Sequence, residues 1–331
     1  MAYFEGNGMR NRISDCFSGL VVASIALPLS GVVWGQPYPT KPIRMVTSAA
    51  GGSSDFAARL VAQGMSQGLG QQVIIDNRGG GVAAIEIVVK APADGYTLLY
   101  YGSILWLLPL LQDGVPYDTL RDFAPVALVV SSPVVVIVNA AVPAKTIKDL
   151  IALAKSKPGA LNYSSGGAGS TGHLAAELFK SMAGVNMVRI PYKGSGPALA
   201  AVVSGEVQLL MASAGGMESQ IRAGRVRAVA VTGAKRSPSF PDLPTVAESG
   251  LPGFEYGQMS GIFAPAKSAR TVVTRLNQEV ARVLARPDVK EKFFQSGAEP
   301  SAETPQEFGA QIKAEIARIG KVIKDAGIRA E

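Results

Sequence analysis

Two short segments of the sequence combine glycines with hydroxyl side chains where a strand should pass into a helix. They are residues 50–55 and 164–173, and an offset of 118 residues (174 minus 56) aligns Phe56-Ala57-Ala58 with Leu174-Ala175-Ala176. Glycine lets the backbone approach a ligand, and the first turn of a helix leaves N–H groups unpaired with a partial positive charge. Each segment therefore has the chemistry of a carboxylate or phosphate site.

A third turn of the same build covers residues 191–197, with Pro197 suited to the first turn of a helix. For each turn alone, the simpler interpretation is a well-capped connection between a strand and a helix. With the matching pair and the third turn, ligand binding is as well supported as a simple strand-to-helix connection. The residues alone do not decide between these two interpretations.

Enzymatic alternatives fit the same residues less well. Residues 167–172 match the G-x-G-x-x-G pattern of dinucleotide sites, and an NAD-dependent oxidoreductase is the alternative function. Such a site needs an acidic residue at the end of the next strand, but residues 188–193 contain none. His173, the single histidine, follows Ser170 by one helical turn with no acid to orient it, so a serine hydrolase is disfavoured. Asp55 is either a partner of the helix dipole or a ligand contact. We expect no catalysis, no cofactor and no metal site.

Alternating apolar strands and amphipathic helices must position these turns. Strands are predicted at residues 43–47, 72–76, 97–101 and 134–139, and helices at 54–67, 82–90 and 146–155. Strands that are apolar throughout favour parallel sheets covered on both faces by helices. The prediction is an α/β fold of two lobes, each a mostly parallel sheet.

The order of these segments predicts a discontinuous first lobe. Long amphipathic helices follow residue 271 with no strands nearby to cover, so we expect them to return to the first lobe. The predicted first lobe comprises residues 36–132 and 253–331, and the second comprises residues 133–252. The chain would cross between lobes near residues 131–133 and 250–258, forming a hinge around a ligand cleft.

Composition narrows the function further. The 331 residues include 47% hydrophobic and 17% charged residues, with a formal net charge of +7. The Lys and Arg residues are scattered singly, which disfavours nucleic-acid binding. Cys16 is the single cysteine, so neither a disulfide nor a Cys/His zinc site can form within the chain.

The first 35 residues resemble an export signal. A short positive segment, residues 9–12, precedes an apolar run from Phe17 to Val33 that contains Pro28. Small residues near Gly35 suit cleavage after that position, and an uncleaved membrane anchor is the alternative. An export signal also disfavours the inducer-binding domain of a transcription factor, which would need a helix-turn-helix segment instead.

Short motifs spaced along residues 38–265 carry a family resemblance. They include Tyr38-Pro39-Thr40-Lys41-Pro42, Lys90-Ala91-Pro92-Ala93-Asp94-Gly95-Tyr96, His173-Leu174-Ala175-Ala176-Glu177-Leu178-Phe179, Pro191-Tyr192-Lys193-Gly194 and Pro241-Asp242-Leu243-Pro244-Thr245. In their order and spacing the chain resembles the tripartite tricarboxylate transporter receptors, also called Bug-type solute-binding proteins. The resemblance implies a monomeric, periplasmic-binding-protein-like receptor that delivers a small organic anion to the membrane subunits of such a transporter.

The resemblance also implies a set of ligand-binding residues in and around the three turns. They are Ala50, Gly51, Gly52, Ser53, Ser54, Asp55, Ser103, Ser164, Ser165, Gly166, Gly169, Ser170, Thr171, His173, Tyr192, Ser195, Gly196 and Pro197.

Several segments depart from the family pattern. Residues 79–84, 101–108 and 212–216 lack polar side chains that the family usually has, which would hold the far end of a dicarboxylate. We therefore expect a carboxylate with a less polar far end, of which an aromatic acid is one example, while a mono- or dicarboxylate in general stays open. Trp106 is either a core residue or a ring that stacks on the ligand.

Overall fold

The computed structural model describes residues 38–51, 53–79, 82–213 and 217–329. The predicted export signal, residues 1–35, lies outside them. From the N-terminus the elements are β1 (Ile43–Thr47), α1 (Ser53–Leu69), β2 (Val73–Asn77), α2 (Ala83–Val89), β3 (Thr97–Gly102), α3 (Ile104–Leu111), α4 (Thr119–Asp122) and β4 (Phe123–Asn139). They continue with α5 (Ile147–Ser156), β5 (Asn162–Ser165), α6 (Thr171–Ala183), β6 (Val188–Pro191), α7 (Ser195–Ser204), β7 (Leu209–Ser213), α8 (Glu218–Arg222) and β8 (Val226–Val231). The last are β9 (Gly257–Pro265), α9 (Arg270–Leu284), α10 (Pro287–Gln295), β10 (Glu299–Pro300) and α11 (Pro305–Asp325).

Local sequence signals account for most of these boundaries, and the predicted α/β class is confirmed. The predicted strand over residues 43–47 is β1, and Ile43, Met45 and Val46 are fully buried in it. Thr146 begins α5 as predicted: its side chain accepts from the Asp149 N–H, and the Asp149 side chain accepts from the Thr146 N–H. This reciprocal capping box satisfies two donors that the helix itself leaves free.

The strands form one mixed sheet in the order β2-β1-β3-β9-β4-β7-β5-β6, with β8 and β10 also pairing with β4. Parallel pairs join β1 to β2 and β3, and β5 to β6 and β7. The strands that lead into the three turns therefore have the predicted parallel direction. In contrast, β4 and β9 are antiparallel to all their partners, a direction that an apolar run cannot reveal.

Strand β4 joins two halves of this sheet. Its first part pairs with β9 as far as Pro133 opposite Gly257, and from Val134 onward it pairs with β7 and β8. The first half-sheet thus contains β1, β2, β3, β9 and β10, and the second contains β5, β6, β7 and β8. The chain returns at Tyr256, whose N–H donates to the Thr232 carbonyl (2.8 Å) just before β9 begins. The lobe boundaries at 132/133 and 252/253 stay a prediction.

The C-terminal helices pack as their amphipathic pattern requires. Helix α9 lies on α1 and β4, and its Val273, Leu276 and Val280 share a core with Ile43 and Met45 of β1. Helix α11 contacts α3 and β4 and also α6, so it touches both half-sheets. Among the described residues, no helix is both long and apolar enough to cross a bilayer.

Candidate functional site

Asp55 organises the first turn. It lies in the first turn of α1, and its Oδ2 accepts the Gly51 N–H (2.9 Å) while its Oδ1 accepts from Asn77 Nδ2 (2.8 Å) and Arg59 Nε (2.9 Å). Gly51 has a φ of +83°, which suits glycine. Burial raises the pKa of the Asp55 carboxyl, but the hydrogen bonds from Gly51, Arg59 and Asn77 outweigh it and the pKa is lowered. Asp55 is thus a fixed carboxylate whose oxygens already hold the loop.

His173 organises the second turn in the same way. Its Nδ1 accepts the Gly169 N–H at 3.1 Å, across the residues that begin α6. Burial, with the nearby Arg189 charge, lowers the pKa of His173 to about 4. The imidazole is therefore neutral at pH 7, which its role as an acceptor requires. The group that holds Nδ1 is a backbone N–H, not an acid that would orient a catalytic base.

Gly172 brings the start of α6 against β7. A Cβ atom built on Gly172 would overlap the carbonyl oxygen of Met211, so only glycine allows this approach. The helix end is thereby seated at the carboxyl end of the second half-sheet, where ligands of α/β proteins bind.

Ser164 and Ser165 lie at the end of β5 and are fully buried. Ser164 Oγ donates to the Ala198 carbonyl at 2.9 Å. Ser165 Oγ donates to the Gly166 carbonyl (3.1 Å) and accepts from Arg189 Nε (2.8 Å). These two hydroxyls and Gly166 therefore tie the second turn to α7 and β6, and none of the three residues lines the cavities described next.

Cavity A, about 290 Å³, joins the first two turns. It is lined by Ser48, Ser54, Tyr101, Gly102, Ser103, Ile104, Leu107, Gly169, Ser170, Thr171, Leu174, Tyr256 and Gln258. The starts of α1 and α6 both face this space. Ser170 Oγ is buried there and has no hydrogen-bond partner within the described part of the chain. An unpaired hydroxyl beside two helix N-termini is a donor available to an anion.

Cavity B, about 520 Å³, joins the first turn to the third. It is lined by Gly51, Ser53, Ser54, Phe56, Ala57, Tyr100, Val130, Ser132, Ser195, Ser213, Gln258, Ser260, Phe293, Ser296, Gly297 and Ala298. Seven of these are serines, while Phe56, Phe293 and Tyr100 add aromatic surface. Ser54 and Gln258 line both cavities, so A and B adjoin.

Neither cavity has a charged side chain among its described lining residues. The positive potential comes instead from the N-termini of α1, α6 and α7, because aligned peptide dipoles leave a partial positive charge there. Within the described ranges, no group of three or more His, Cys, Asp and Glu residues could hold a metal ion. The arrangement is suited to holding an anion with neutral donors.

The predicted site residues divide into three groups. The cavities bring together Gly51, Ser53, Ser54, Ser103, Gly169, Ser170, Thr171 and Ser195. Outside the cavity walls lie Ala50, Asp55, Ser164, Ser165, Gly166, His173, Tyr192, Gly196 and Pro197. Tyr192 is held by its hydroxyl, which donates to Glu206 Oε1 at 2.9 Å. Gly52 lies outside the described residues.

Several lining residues were not predicted from sequence, and Gln258 is the most central. Its Oε1 accepts from Ser213 Oγ at 3.2 Å, which links β9 to β7. Ser132 lies opposite Gln258 in the β4–β9 pair, and Ser260 follows on β9. The sequence feature that could have identified these residues is the presence of polar side chains inside otherwise apolar strands, near the predicted crossings between the lobes.

Trp106 belongs to the core and does not stack on a ligand. It is 1% exposed, packs against Phe263 and Phe308, and donates from Nε1 to Glu315 Oε2 at 2.9 Å. Of the segment 101–108, the residues that face cavity A are Tyr101, Gly102, Ser103, Ile104 and Leu107.

Comparison with known proteins gives one consistent result. Residues 57–328 match the model of the tripartite tricarboxylate transporter family receptor. The chain is 38% identical over 308 residues to the UPF0065 protein in the tcbD-tcbE intergenic region of Pseudomonas sp. (strain P51), covering 92% of this chain and 89% of that protein.

Two solved structures are similar along nearly their whole length. The R. palustris protein Rpa4515 with adipate is 38% identical with a TM-score of 0.71, covering 88% of this chain and 99% of that one. MatC from Rhodopseudomonas palustris with bound malate is 31% identical with a TM-score of 0.67, covering 86% and 100%.

Proposed function

The chain belongs to the family of tripartite tricarboxylate transporter receptors, and we propose that it captures a small organic carboxylate in the cleft of a two-lobe periplasmic fold. The captured anion is then delivered to the membrane subunits of a tripartite tricarboxylate-type transporter. The receptor acts as a monomer and catalyses no reaction. Export through cleavage of residues 1–35 is part of this proposal, and N-terminal sequencing of the periplasmic protein tests it.

The observation that carries the proposal is the meeting of two helix N-termini in cavity A. Ser54 of α1 and Ser170 and Thr171 of α6 line the same space, although they come from different half-sheets. A carboxylate there could accept from backbone N–H groups and hydroxyls of both, so it would bridge the two halves of the sheet. Binding would then favour the closed arrangement of the lobes, since only that arrangement supplies both sets of donors.

Cavity B supplies the room for the rest of the ligand. Its aromatic surface favours an apolar chain or ring, while its serine hydroxyls can solvate a second polar group. The ring does not stack on Trp106, because that side chain is in the core. Adipate and malate, which are bound to two similar proteins, show that dicarboxylates are one ligand class to compare with aromatic acids.

Calorimetric titration with adipate, malate, citrate, succinate and benzoate tests the proposal. We expect saturable binding of at least one of them and a loss of at least about tenfold in affinity for Ser170→Ala combined with Thr171→Val, because each lost donor leaves the anion less well satisfied. Ser156→Ala, an exposed hydroxyl at the end of α5, is the matched control and should leave affinity unchanged. Equal affinity in all three proteins would refute the assignment of cavity A. Binding of citrate or succinate without any binding of benzoate would refute a preference for aromatic acids.

A further inference from the structure

A third cavity, of about 490 Å³, lies where the chain passes between the half-sheets. Its walls come from β4 at Ser131 and Pro133, from residues 255–257 before and at the start of β9, from residues 233–237, and from α11. We call it the hinge cavity. Tyr256 lines both the hinge cavity and cavity A.

One face of α11 turns polar side chains into the hinge cavity. Gln311, Glu315 and Arg318 are spaced at i, i+4 and i+7, which places them on one side of the helix. Phe308 and Ile319, seven residues before and four residues after Glu315, lie beside this polar stripe and are fully buried in the apolar core. The polar stripe is therefore directed at the cavity in a helix that is otherwise a core element.

Glu315 is a buried residue with one carboxylate oxygen that has no hydrogen-bond partner among the described residues. The residue is 2% exposed, and its Oε2 accepts from Trp106 Nε1, but its Oε1 has no hydrogen-bond partner among the described residues. Leaving a buried carboxylate oxygen unpaired is costly, so such a group calls for a bound partner.

Two further polar atoms, on other residues that line the hinge cavity, are also buried without a hydrogen-bond partner. Glu303 Oε2 is buried without a partner in the described ranges, while its Oε1 accepts from Gln311 Nε2 at 2.8 Å. Arg318 Nε is also buried and unpartnered, and the closest approach between Arg318 and Glu255 is 3.7 Å, too long for a hydrogen bond. Arg318 Nε and Glu315 Oε1 thus both lack a hydrogen-bond partner among the described residues and do not satisfy each other.

Acidic side chains outnumber basic ones around the cavity by one. Four glutamates line it, at positions 255, 299, 303 and 315, against Lys235, Arg236 and Arg318. Arg236 pairs with Glu248, which does not line the cavity, at 3.0 Å, so its charge is largely neutralised elsewhere. A positively charged molecule is the complementary occupant.

We propose that the hinge cavity is a second binding site, which takes a small organic cation carrying an ammonium or amidinium group. Its N–H groups donate to the free oxygens of Glu315 and Glu303, as charge-assisted hydrogen bonds to carboxylates do. An organic cation suits the space better than a metal ion, because the described residues contain no cluster of three or more metal-ligating side chains.

A titration with acetamidinium tests the site, with acetamide as a neutral probe of nearly the same shape. We expect saturable binding of acetamidinium and none of acetamide. Glu315→Gln keeps an acceptor for Trp106 and removes the charge, and should weaken acetamidinium binding at least about tenfold, as loss of one partner of a buried charge pair does. Asp325→Asn, an exposed carboxylate on the same helix, is the matched control and should bind as the unaltered protein does.

A second variant covers the case in which Glu315→Gln does not fold. Ala314 is exposed and borders the cavity, so Ala314→Phe fills the space without disturbing the core. It should abolish acetamidinium binding while adipate or another carboxylate still binds, which separates this proposal from the carboxylate site. Failure of acetamidinium to bind at saturable levels, or equal binding by the Glu315→Gln, Ala314→Phe and unaltered proteins, would overturn the proposal.

The pH dependence provides an independent readout. The groups that face the Glu315 carboxyl are Trp106 on α3, Tyr256 before β9, Arg318 on α11 and Glu255. Burial raises the pKa of Glu315 to about 7, with the Trp106 hydrogen bond and Arg318 lowering it in part and Glu255 raising it. Acetamidinium should bind more tightly as the pH rises through about 7, and this rise should vanish in Glu315→Gln. A pH-independent affinity in the unaltered protein would contradict the assignment.

Discussion

Acidification should destabilise the protein through His173. The folded protein holds this imidazole neutral, because burial and the Arg189 charge lower its pKa from 6.5 to about 4. Between these two values the unfolded chain binds a proton that the folded protein does not. The stabilisation is therefore complete above about pH 6.5 and is lost as the pH falls toward about 4. Since each pKa unit corresponds to about 1.4 kcal/mol, the loss amounts to about 3 kcal/mol.

The structural reason for this loss of stability is a hydrogen bond within the second turn. Nδ1 of His173 accepts the Gly169 N–H at 3.1 Å, and a protonated imidazole has no lone pair left to accept it. His173→Asn provides a suitable control, because an amide oxygen can replace Nδ1 as acceptor and does not titrate. All other groups, including Glu315, remain the same in the two proteins and cancel in the comparison.

Urea denaturation at a series of pH values from about 4 to about 7 measures the effect. The unaltered protein should lose about 3 kcal/mol more of its unfolding free energy over that range than His173→Asn does. Parallel stability curves for the two proteins would refute the argument, since His173 would then titrate alike in the folded and unfolded states.

Three further substitutions test other parts of the framework. Gly172→Ala places a Cβ against the Met211 carbonyl and should reduce the free energy of unfolding by about 2 kcal/mol or more; an unchanged urea midpoint would contradict the close approach of α6 to β7. Asp55→Asn keeps the shape of the side chain but removes the charge of the carboxylate, which accepts from Gly51, Asn77 and Arg59. Calorimetry should therefore show weaker carboxylate binding, and urea denaturation should show a loss of about 1–3 kcal/mol in the free energy of unfolding. Full affinity would show that the first turn needs no such anchor. Thr146→Ala removes the α5 cap at a cost of about 1 kcal/mol by denaturation, with carboxylate affinity unaltered as its internal control.

Local patterns in the sequence were sufficient to predict the two facing turns. Ligand-binding turns of α/β proteins follow the carboxyl ends of parallel strands, and each matched segment follows such a strand: β1, which is parallel to β2, leads to Ser54, and β5, which is parallel to β6, leads to Ser170. The residues of cavity A that came from these turns were predicted for this reason.

The same local patterns do not predict the direction of side chains or the pairing of strands that are distant in sequence. Ser164 and Ser165 have the right type for ligand contacts, but β5 points them into contacts with α7 and Arg189. Gln258 and Ser132 meet because β9 inserts antiparallel between β3 and β4, and no local period records which distant strand becomes a neighbour. The serine-rich wall of cavity B depends on that pairing.

The charged residues near cavities A and B make contacts within the protein, which leaves neutral donors to hold the anion that we propose binds there. Asp55 is held by Arg59, Asn77 and Gly51, while Arg189 is held by Ser165 and the Gly166 carbonyl. These contacts fix the loops so that the N-termini of α1 and α6 point into one space. In the proposed complex, the fixed dipoles would stabilise the carboxylate without the large desolvation cost of burying a full cationic side chain. Because each donor contributes modestly, tight binding requires donors from both halves of the sheet at once. In the proposed function, release to a carrier would then need only separation of the two halves of the sheet.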